Sequence, residues 1–338
     1  MEPLLDVEDL RVHYPGSRGP VRAVDGVTFS LRRGETYALV GESGCGKSAT
    51  ALAIVRLVEP GRVVSGHVRL EGREILGLSE REMRHVRGAR IGFVFQEVSA
   101  ALNPVMRIGD QVAEAVRAHR RLSRAAARAE AVRLLGLVAL PDPASQARAY
   151  AHELSGGMKQ RAMLAIALAC APALLIADEP TTALDVTIQA QILDVLRRLR
   201  RELGLTVLLI THDLGVVAEN ADRVGIMYAG RIVEEAPVAD LFRTPLHPYT
   251  RGLLLSLPGN AGSEAGARGD RRLRVLPGAV PDPESPPPGC RFHPRCAERF
   301  EPCDREEPAD ENVGAESRVA CFLYSSGAGQ APRSGTSA

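Results

Sequence analysis

Apolar and polar residues alternate along two stretches near the start of the chain, Leu4 to Val12 and Ala23 to Leu31. A period of two is typical of half-buried strands, so both stretches are predicted to be antiparallel strands. Short apolar runs further along predict buried strands. These runs are Thr36 to Val40, Ile91 to Phe95, Leu174 to Ala177 and Thr206 to Ile210.

Segments with helical spacing separate these apolar runs. Helices are predicted at Ala49 to Val58, Met158 to Cys170 and Val186 to Leu203, the last of them amphipathic. The stretch Asp110 to Leu137 is rich in Ala, Arg and Leu at helical spacing and is predicted to be helical as well. Strands that alternate with helices favour a parallel sheet flanked by helices, which places the chain in the α/β class.

Composition narrows the classes of protein that this pattern allows. The chain has 338 residues, of which 45% are apolar, enough for a sizeable core and more than one domain. Its net charge of +1 gives no global field that favours nucleic acid or an anionic membrane. No apolar run reaches the roughly 20 residues of a spanning helix, and no signal peptide is visible at the N-terminus. We therefore expect a cytosolic chain.

The composition changes after Leu257, which predicts a boundary there. Gly259 to Gly269 is rich in Gly and Ala, and Pro281 to Pro288 holds five prolines, so both segments are predicted linkers. Four cysteines follow, and Ser325 to Ala338 is predicted to be disordered. The predicted division is 1–257, then a cysteine-containing extension at 258–324, then a tail at 325–338.

A phosphate-binding loop of the form G-x-x-x-x-G-K-S follows the strand that ends at Val40. Glycines let the backbone curl round phosphate and present its N–H groups, and the helix that follows adds its positive end. Lys47 is predicted to contact the β- and γ-phosphates, and Ser48 to bind Mg²⁺. The predicted contacts to ATP are Gly41, Ser43, Gly44, Cys45, Gly46, Lys47, Ser48 and Ala49.

Two acidic residues follow the apolar run Leu174 to Ala177. Asp178 is predicted to hold Mg²⁺, directly or through water. Glu179 is placed to polarise the attacking water as a general base.

Cys45 of the phosphate-binding loop is predicted to be reactive. A thiol at a helix N-terminus beside Lys47 should have a lowered pKa and should react with thiol reagents.

The block Leu154-Ser155-Gly156-Gly157-Met158-Lys159-Gln160 resembles the signature of the ATP-binding cassette (ABC) family. The resemblance implies a P-loop NTPase cassette with a RecA-like core, an antiparallel β subdomain and a helical subdomain at about 97–165. It also implies that the signature closes over ATP bound to a second cassette. Residues Ser155, Gly156, Gly157 and Gln160 would make those contacts.

The same resemblance implies roles for four more residues. Gln96 would sense Mg²⁺ and the γ-phosphate, and His212 would position the water and Glu179. Asp185 would couple the two sites across the dimer. Tyr14, which lies 27 residues before Gly41, would stack on adenine; a half-buried strand tyrosine is the alternative.

The four late cysteines follow the spacing Cys290-x5-Cys296-x6-Cys303-x17-Cys321. Zinc sites usually contain closer pairs, and wider spacing suits a loop-wrapped iron–sulfur cluster. The segment Cys290 to Cys296, with Thr244 to Arg251, resembles the ATPases of oligopeptide and dipeptide importers, which implies a [4Fe–4S] cluster. A zinc site, or four cysteines that bind no metal, remain alternatives.

The resemblance therefore predicts the ATP-hydrolysing subunit of a membrane ABC importer for dipeptides and oligopeptides. Implied partners are a second ABC ATPase subunit, identical or different, two membrane permease subunits and an extracellular substrate-binding protein, without nucleic acid. The chain would lie at the cytoplasmic face of the membrane. Nickel chelates and oligosaccharides are alternative substrates, and a soluble ABC ATPase or an exporter ATPase are alternative functions.

Overall fold

The computed structural model describes residues 2–182, 184–257 and 276–325. The predicted linker at Gly259 to Gly269 and the predicted tail beyond Ser325 lie outside these residues. The strands are β1 (Leu5–Tyr14), β2 (Val21–Leu31), β3 (Thr36–Val40), β4 (Arg62–Leu70), β5 (Arg73–Glu74), β6 (Ile91–Val94), β7 (Leu174–Asp178), β8 (Thr206–Thr211), β9 (Arg223–Tyr228), β10 (Arg231–Pro237), β11 (Asp310–Asn312) and β12 (Arg318–Ala320). The helices are α1 (Lys47–Ile54), α2 (Glu80–Ala89), α3 (Val98–Ala101), α4 (Ile108–His119), α5 (Arg124–Leu137), α6 (Pro143–Gln146), α7 (Gly156–Ala167), α8 (Val186–Leu203), α9 (Leu214–Asn220), α10 (Val238–Arg243) and α11 (Pro248–Leu255).

The larger sheet has a parallel centre, as the alternation of strands and helices predicts. Its order is β11-β12-β10-β9-β3-β8-β7-β6, and β9, β3, β8, β7 and β6 run parallel. All residues of β3, β7 and β8 are buried, because helices cover both faces of the sheet. The carboxyl ends of these strands therefore meet at one edge, where ligands bind in open α/β sheets.

The smaller sheet is antiparallel and has the order β2-β1-β4-β5. Buried residues recur along β1 and β2 with irregularities at register shifts, which agrees with the alternation in the sequence. Its inner face joins one core with α1 and with the buried side chains of β7 and β8, including Ile176 and Ile210. The two sheets thus share a core around the start of α1.

The helical region differs from its prediction in its boundaries. The segment Asp110 to Leu137 forms two helices, α4 and α5, because the chain turns extended at Arg120 and Ser123 caps α5 through its side chain. The helix predicted at Ala49 to Val58 begins at Lys47 and ends at Ile54, and the one predicted to reach Cys170 ends at Ala167. Helices α4, α5 and α7 pack together on one core.

The C-terminal extension continues the cassette sheet. β12 pairs antiparallel with β10, and β11 pairs with β12, so the extension covers what would otherwise be a sheet edge. Arg318 of β12 binds the buried carboxylate of Glu235 with two N–H groups at 3.0 and 2.6 Å. The sequence predicts a separate segment here, and the structure places it in the same sheet.

Helix α11 joins the cassette to the extension through a buried histidine. His247 is 1% exposed, and its Nδ1 accepts the backbone N–H of Tyr249 at 3.0 Å, which caps the helix. The carboxylate of Glu234 accepts the backbone N–H of Leu246 and of His247, both at 2.8 Å. Burial lowers the pKa of His247 from 6.5 to about 3.

We therefore expect stability to fall in mild acid. Between pH 6.5 and 3 the unfolded chain binds a proton at His247 that the folded chain does not, so stability is lost as the pH falls. The slope from this residue alone reaches about 1.4 kcal/mol per pH unit. Urea unfolding at several pH values should show a shallower slope for His247→Asn, which keeps a helix-capping side chain. Identical slopes for both proteins would show that His247 is not the cause.

Candidate nucleotide site

The predicted phosphate-binding loop lies between β3 and α1, at the carboxyl edge of the parallel sheet. Gly44 and Gly46 adopt positive φ angles of 80° and 104°, which favour glycine. A side chain at Gly46 would also collide with the backbone carbonyl of Ala23 on β2. The loop can therefore curl tightly only with glycine at these positions.

Lys47 is fixed against the backbone of this loop. The side chain is 5% exposed, and Nζ donates to the carbonyl oxygens of Gly41 at 2.8 Å and Glu42 at 3.0 Å. A buried ammonium group beside backbone N–H groups at a helix N-terminus suits a polyphosphate. This position is compatible with the predicted contact of Lys47 with the β- and γ-phosphates.

Asp178 and Ser48 meet at the end of β7. The Ser48 hydroxyl donates to Asp178 Oδ1 at 3.0 Å, and Asp178 is 4% exposed. Burial raises the pKa of Asp178 from 3.8 to about 6, partly offset by the Ser48 hydrogen bond. A hydroxyl and a carboxylate are oxygen donors of the kind that Mg²⁺ prefers, with phosphates completing its shell. The residues therefore fit a magnesium ion bound together with ATP.

The backbone conformation of Glu179 and three polar neighbours fix the position of its carboxylate. Its φ angle is 45°, an uncommon backbone conformation for a residue other than glycine, and such outliers cluster at functional sites. Its carboxylate accepts hydrogen bonds from Gln96 Nε2 at 3.2 Å and Thr182 Oγ1 at 2.8 Å, and it lies 3.4 Å from His212 Nδ1. The side chain is 12% exposed, so the oriented carboxylate can polarise a water molecule.

Thr182 is a site residue that the sequence did not single out. Its hydroxyl donates to the same oxygen of Glu179 as Gln96 does. The sequence shows a hydroxyl side chain three residues after Glu179, but a threonine at this spacing is common in loops and does not by itself indicate a contact. Its contact to the carboxylate gives Thr182 an orienting position.

The signature segment forms the start of α7. Ser155 caps α7, and its side chain accepts the N–H of Met158 at 3.4 Å, while Ser155 and Gly156 are exposed. Within the described residues no hydrogen bond or ion pair joins 155–160 to 41–48. Gly156 instead faces Leu184, one residue before Asp185, which caps α8. The signature and the predicted coupling residue thus share one exposed surface.

Tyr14 ends β1, and its backbone is paired with Val21. The ring is half-buried and lies against Gly61, where a Cβ atom would come within 2.7 Å of it. This packing agrees with a strand tyrosine, and the adenine contact stays a prediction.

The predicted lowering of the Cys45 pKa is wrong. The thiol is fully buried, and burial raises its pKa, an effect that the nearby Lys47 offsets only in part. Lys47 Nζ lies 3.8 Å from the sulfur, yet loss of solvation dominates. We therefore expect thiol reagents to react slowly with this residue in the folded chain.

The four late cysteines are free thiols on neighbouring loops. The backbone N–H of Cys290 donates to the carbonyl of Cys303 at 2.9 Å. Burial raises the pKa of Cys290 to about 11 and that of Cys321 to about 12, and the thiols of Cys296 and Cys303 add to both shifts. Among the described residues, however, no group of three or more His, Cys, Asp or Glu side chains is arranged to hold a metal ion. The cysteines lie near one another without forming such a site here.

Comparison with known families decides the identity of the cassette. Residues 24–182 match the family model described as ABC transporter. Residues 233–303 match the model described as oligopeptide/dipeptide transporter, C-terminal region. The chain belongs to the ATPases of the ABC transporter family, oligopeptide/dipeptide type. The predicted cassette fold and ATP hydrolysis are thereby confirmed.

Relatives of this ABC ATPase match it along nearly the whole chain. A probable peptide ABC transporter ATP-binding protein of Sinorhizobium fredii is 50% identical over 321 residues, 94% of each chain. A dipeptide transport ATP-binding protein of Bacillus subtilis is 46% identical over 337 residues, 99% of each chain. A solved dimeric ATP-binding cassette in a post-hydrolysis state with ADP and Pi aligns with a TM-score of 0.63 and 28% identity, over 69% of this chain and 98% of that one.

The family implies ATP and Mg²⁺ as ligands of this site, and the donors around Ser48 and Asp178 fit them. No helix in the described part of this ABC ATPase is long and apolar enough to cross a membrane.

Proposed function

We propose that this chain is the ATP-hydrolysing subunit of a membrane importer for dipeptides and oligopeptides. The observation that carries the proposal is the match of residues 233–303 to the C-terminal region of oligopeptide/dipeptide transporters. Relatives named as dipeptide and oligopeptide transport ATP-binding proteins, from Bacillus subtilis, support it at 46% identity each. Separate membrane subunits would form the path for the peptide.

In the proposed reaction, the P-loop backbone and Lys47 bind the triphosphate. Mg²⁺, held with the help of Ser48, Asp178 and Gln96, would neutralise phosphate charge. Glu179 accepts a proton from the attacking water, and His212 and Gln96 orient that carboxylate and the water. The products are ADP and phosphate, and their release ends the closed state.

A second cassette, identical or different, would complete each site. Ser155, Gly156 and Gly157 offer a hydroxyl and free N–H groups at the start of α7, where an anion is stabilised. Among the described residues they have no hydrogen bond to the P-loop of the same chain, which supports a contact across a dimer. Gln160 would support this loop, and Asp185 would link the two sites.

The permease subunits would contact the loop before α4. Val105 is 81% exposed. Hydrogen bonds from the side chain of Gln111 fix the loop around it. Gln111 accepts the N–H of Asn103 at 2.9 Å and donates to the carbonyl oxygens of Asn103 and Met106, both at 3.0 Å. A hydrogen-bonded loop with an exposed apolar tip, nine residues after Gln96, suits the transmission of cassette closure to a membrane partner. The chain would then lie at the cytoplasmic face, with an extracellular binding protein delivering peptide.

The substrate is tested by uptake into proteoliposomes that hold the complete transporter. Labelled dipeptides and oligopeptides should accumulate only with internal ATP and with the binding protein outside. A nickel chelate and an oligosaccharide serve as competing substrates in the same vesicles. Accumulation of either one without peptide uptake would replace the proposed substrate class.

We also propose that Cys290, Cys296, Cys303 and Cys321 hold a [4Fe–4S] cluster. Four neighbouring, largely buried thiols support the proposal, since such clusters use four cysteine thiolates. The wide spacing of these cysteines along the chain suits a cluster larger than a single ion.

Protein purified without oxygen should contain four irons and four sulfides per chain. Cys296→Ser should lose them, and Cys170→Ser, a change outside the group, should keep them. Stoichiometric zinc, or no metal at all, would contradict the cluster and leave the cassette assignment unaffected.

A further inference from the structure

One residue of the P-loop is held by segments that lie far along the chain. The carboxylate of Glu42 accepts two hydrogen bonds from the Arg295 guanidinium, at 2.6 and 3.1 Å. The backbone N–H of Glu42 donates to the hydroxyl of Tyr249 at 3.1 Å. Its carbonyl accepts the Lys47 ammonium at 3.0 Å. Glu42 is therefore connected to the C-terminal extension, to α11 and to the phosphate-binding lysine.

Arg295 is itself fixed in place. Its side chain is 5% exposed, and Nε donates to the carbonyl of Pro277 at 2.8 Å. The guanidinium carbon lies 5.7 Å from the ring centre of Tyr228 and 6.0 Å from that of Phe292. A planar, bidentate guanidinium stacked near aromatic rings has little freedom, so it sets the position of the carboxylate that it binds.

The charge of Glu42 makes this contact matter for the nucleotide. A carboxylate within a loop that binds a polyanion repels the ligand, and the repulsion is stronger near a protein surface than in bulk water. Arg295 supplies the opposite charge at hydrogen-bonding distance and so neutralises it. The side chain of Glu42 is 30% exposed, and Arg295 is its one ion-pair partner among the described residues. Loss of Arg295 would therefore leave an unpaired carboxylate on the loop that is proposed to bind the triphosphate.

We propose that Arg295 of the C-terminal extension is a positioning residue of the ATP site. It acts through Glu42, by neutralising that carboxylate and by holding the P-loop in the shape that receives phosphate. The extension is then a working part of the nucleotide site. The inference rests on nucleotide binding by the P-loop, as proposed above.

The test is the affinity of the full chain for Mg·ATP, measured calorimetrically in a Glu179→Gln background that slows hydrolysis. Arg295→Gln should weaken binding by about 2- to 30-fold, the range for residues that act on a ligand without touching it. Adding Glu42→Gln should restore part of the affinity, because it removes the unpaired carboxylate. Added salt should narrow the gap between Arg295→Gln and the parent protein.

A merely structural role for Arg295 predicts a different pattern. It would lower the unfolding temperature without moving the affinity of the folded protein, and Glu42→Gln would give no rescue. The matched control is Arg305→Gln, which breaks an exposed ion pair with Glu301 in the same extension and should leave affinity unchanged. Parent affinity in folded Arg295→Gln, or a double variant weaker than Arg295→Gln, overturns the inference.

A milder variant keeps the test decisive if Arg295→Gln does not fold. Arg295→Lys retains the charge but loses the bidentate geometry, so it should weaken binding less. That loss should vanish when Glu42 is Gln, and an equal loss in both backgrounds overturns the inference. Lys47→Ala separates the two proposals: unchanged ATP affinity in that variant refutes the nucleotide site itself, whereas silent Arg295 variants refute only the role of the extension.

Discussion

Replacing Glu179 by Gln should lower ATP turnover by about 10²–10⁴-fold while ATP binding is retained. The amide keeps the size of the side chain and its hydrogen-bonding oxygen, but it cannot accept the proton of the attacking water. The contacts from Gln96 and Thr182 hold the Glu179 carboxylate in one orientation. Binding relies on the P-loop, which this change does not touch.

Phosphate release and nucleotide binding should be measured on the same preparation. Glu202→Gln is the matched control, since that residue lies on α8 and is exposed. Because ATP stays bound without turnover, the lifetime of the closed, ATP-bound dimer should increase. Light scattering should detect this dimer. Turnover within a few-fold of the unmodified protein would show that Glu179 is not the base.

Gly156→Asp should reduce ATP turnover by about 10²-fold or more, the cost of losing stabilisation of developing charge at a site. The new carboxylate would face the γ-phosphate of the partner cassette and repel it. Binding of ATP to the same chain should stay normal, because Gly156 lies at the start of α7, outside the P-loop. The structure favours this position: among the described residues, a Cβ at Gly156 would meet a single side-chain atom, Leu184 Cδ2 at 3.3 Å.

Gly156→Ala is the control for this experiment, because it adds the Cβ atom without the charge. Gly157 is unsuitable, since a Cβ there would lie 2.6 Å from Ile188 Cγ2 and disturb packing. Circular dichroism and ATP affinity should match across both Gly156 variants. Normal turnover with Asp at position 156 would place the signature outside the reacting site.

The sequence was most informative where packing and chemistry coincide. The strand Thr36–Val40 and the helix Val186–Leu203 have the predicted bounds, because the strand is buried along its whole length and the helix has Asp185 as its N-cap and Gly204 as its C-cap. The P-loop, Asp178 and Glu179 could be found because each follows an apolar strand. The roles predicted for these residues follow from the identity of their neighbours in the sequence.

The features that the sequence did not predict correctly, or did not predict at all, depend on contacts between distant segments. The pKa of Cys45 depends on its burial in the core, which outweighs the neighbouring lysine and cannot be read from local spacing. The pairing of β12 with β10 joins residues more than 80 positions apart, as Glu234 and Val319 do. The bond between Arg295 and Glu42 likewise has no local signal, since two charged residues reveal a partnership only when the fold brings them together.

Hydrolysis of ATP between two cassettes, as proposed above, is tested most directly by phosphate release per chain as a function of cassette concentration. The range should begin where light scattering shows a monomer. The rate per chain should rise with the concentration of this chain, or on adding the second ATPase subunit, until the dimer is saturated. A constant rate per chain from a monomer would contradict it.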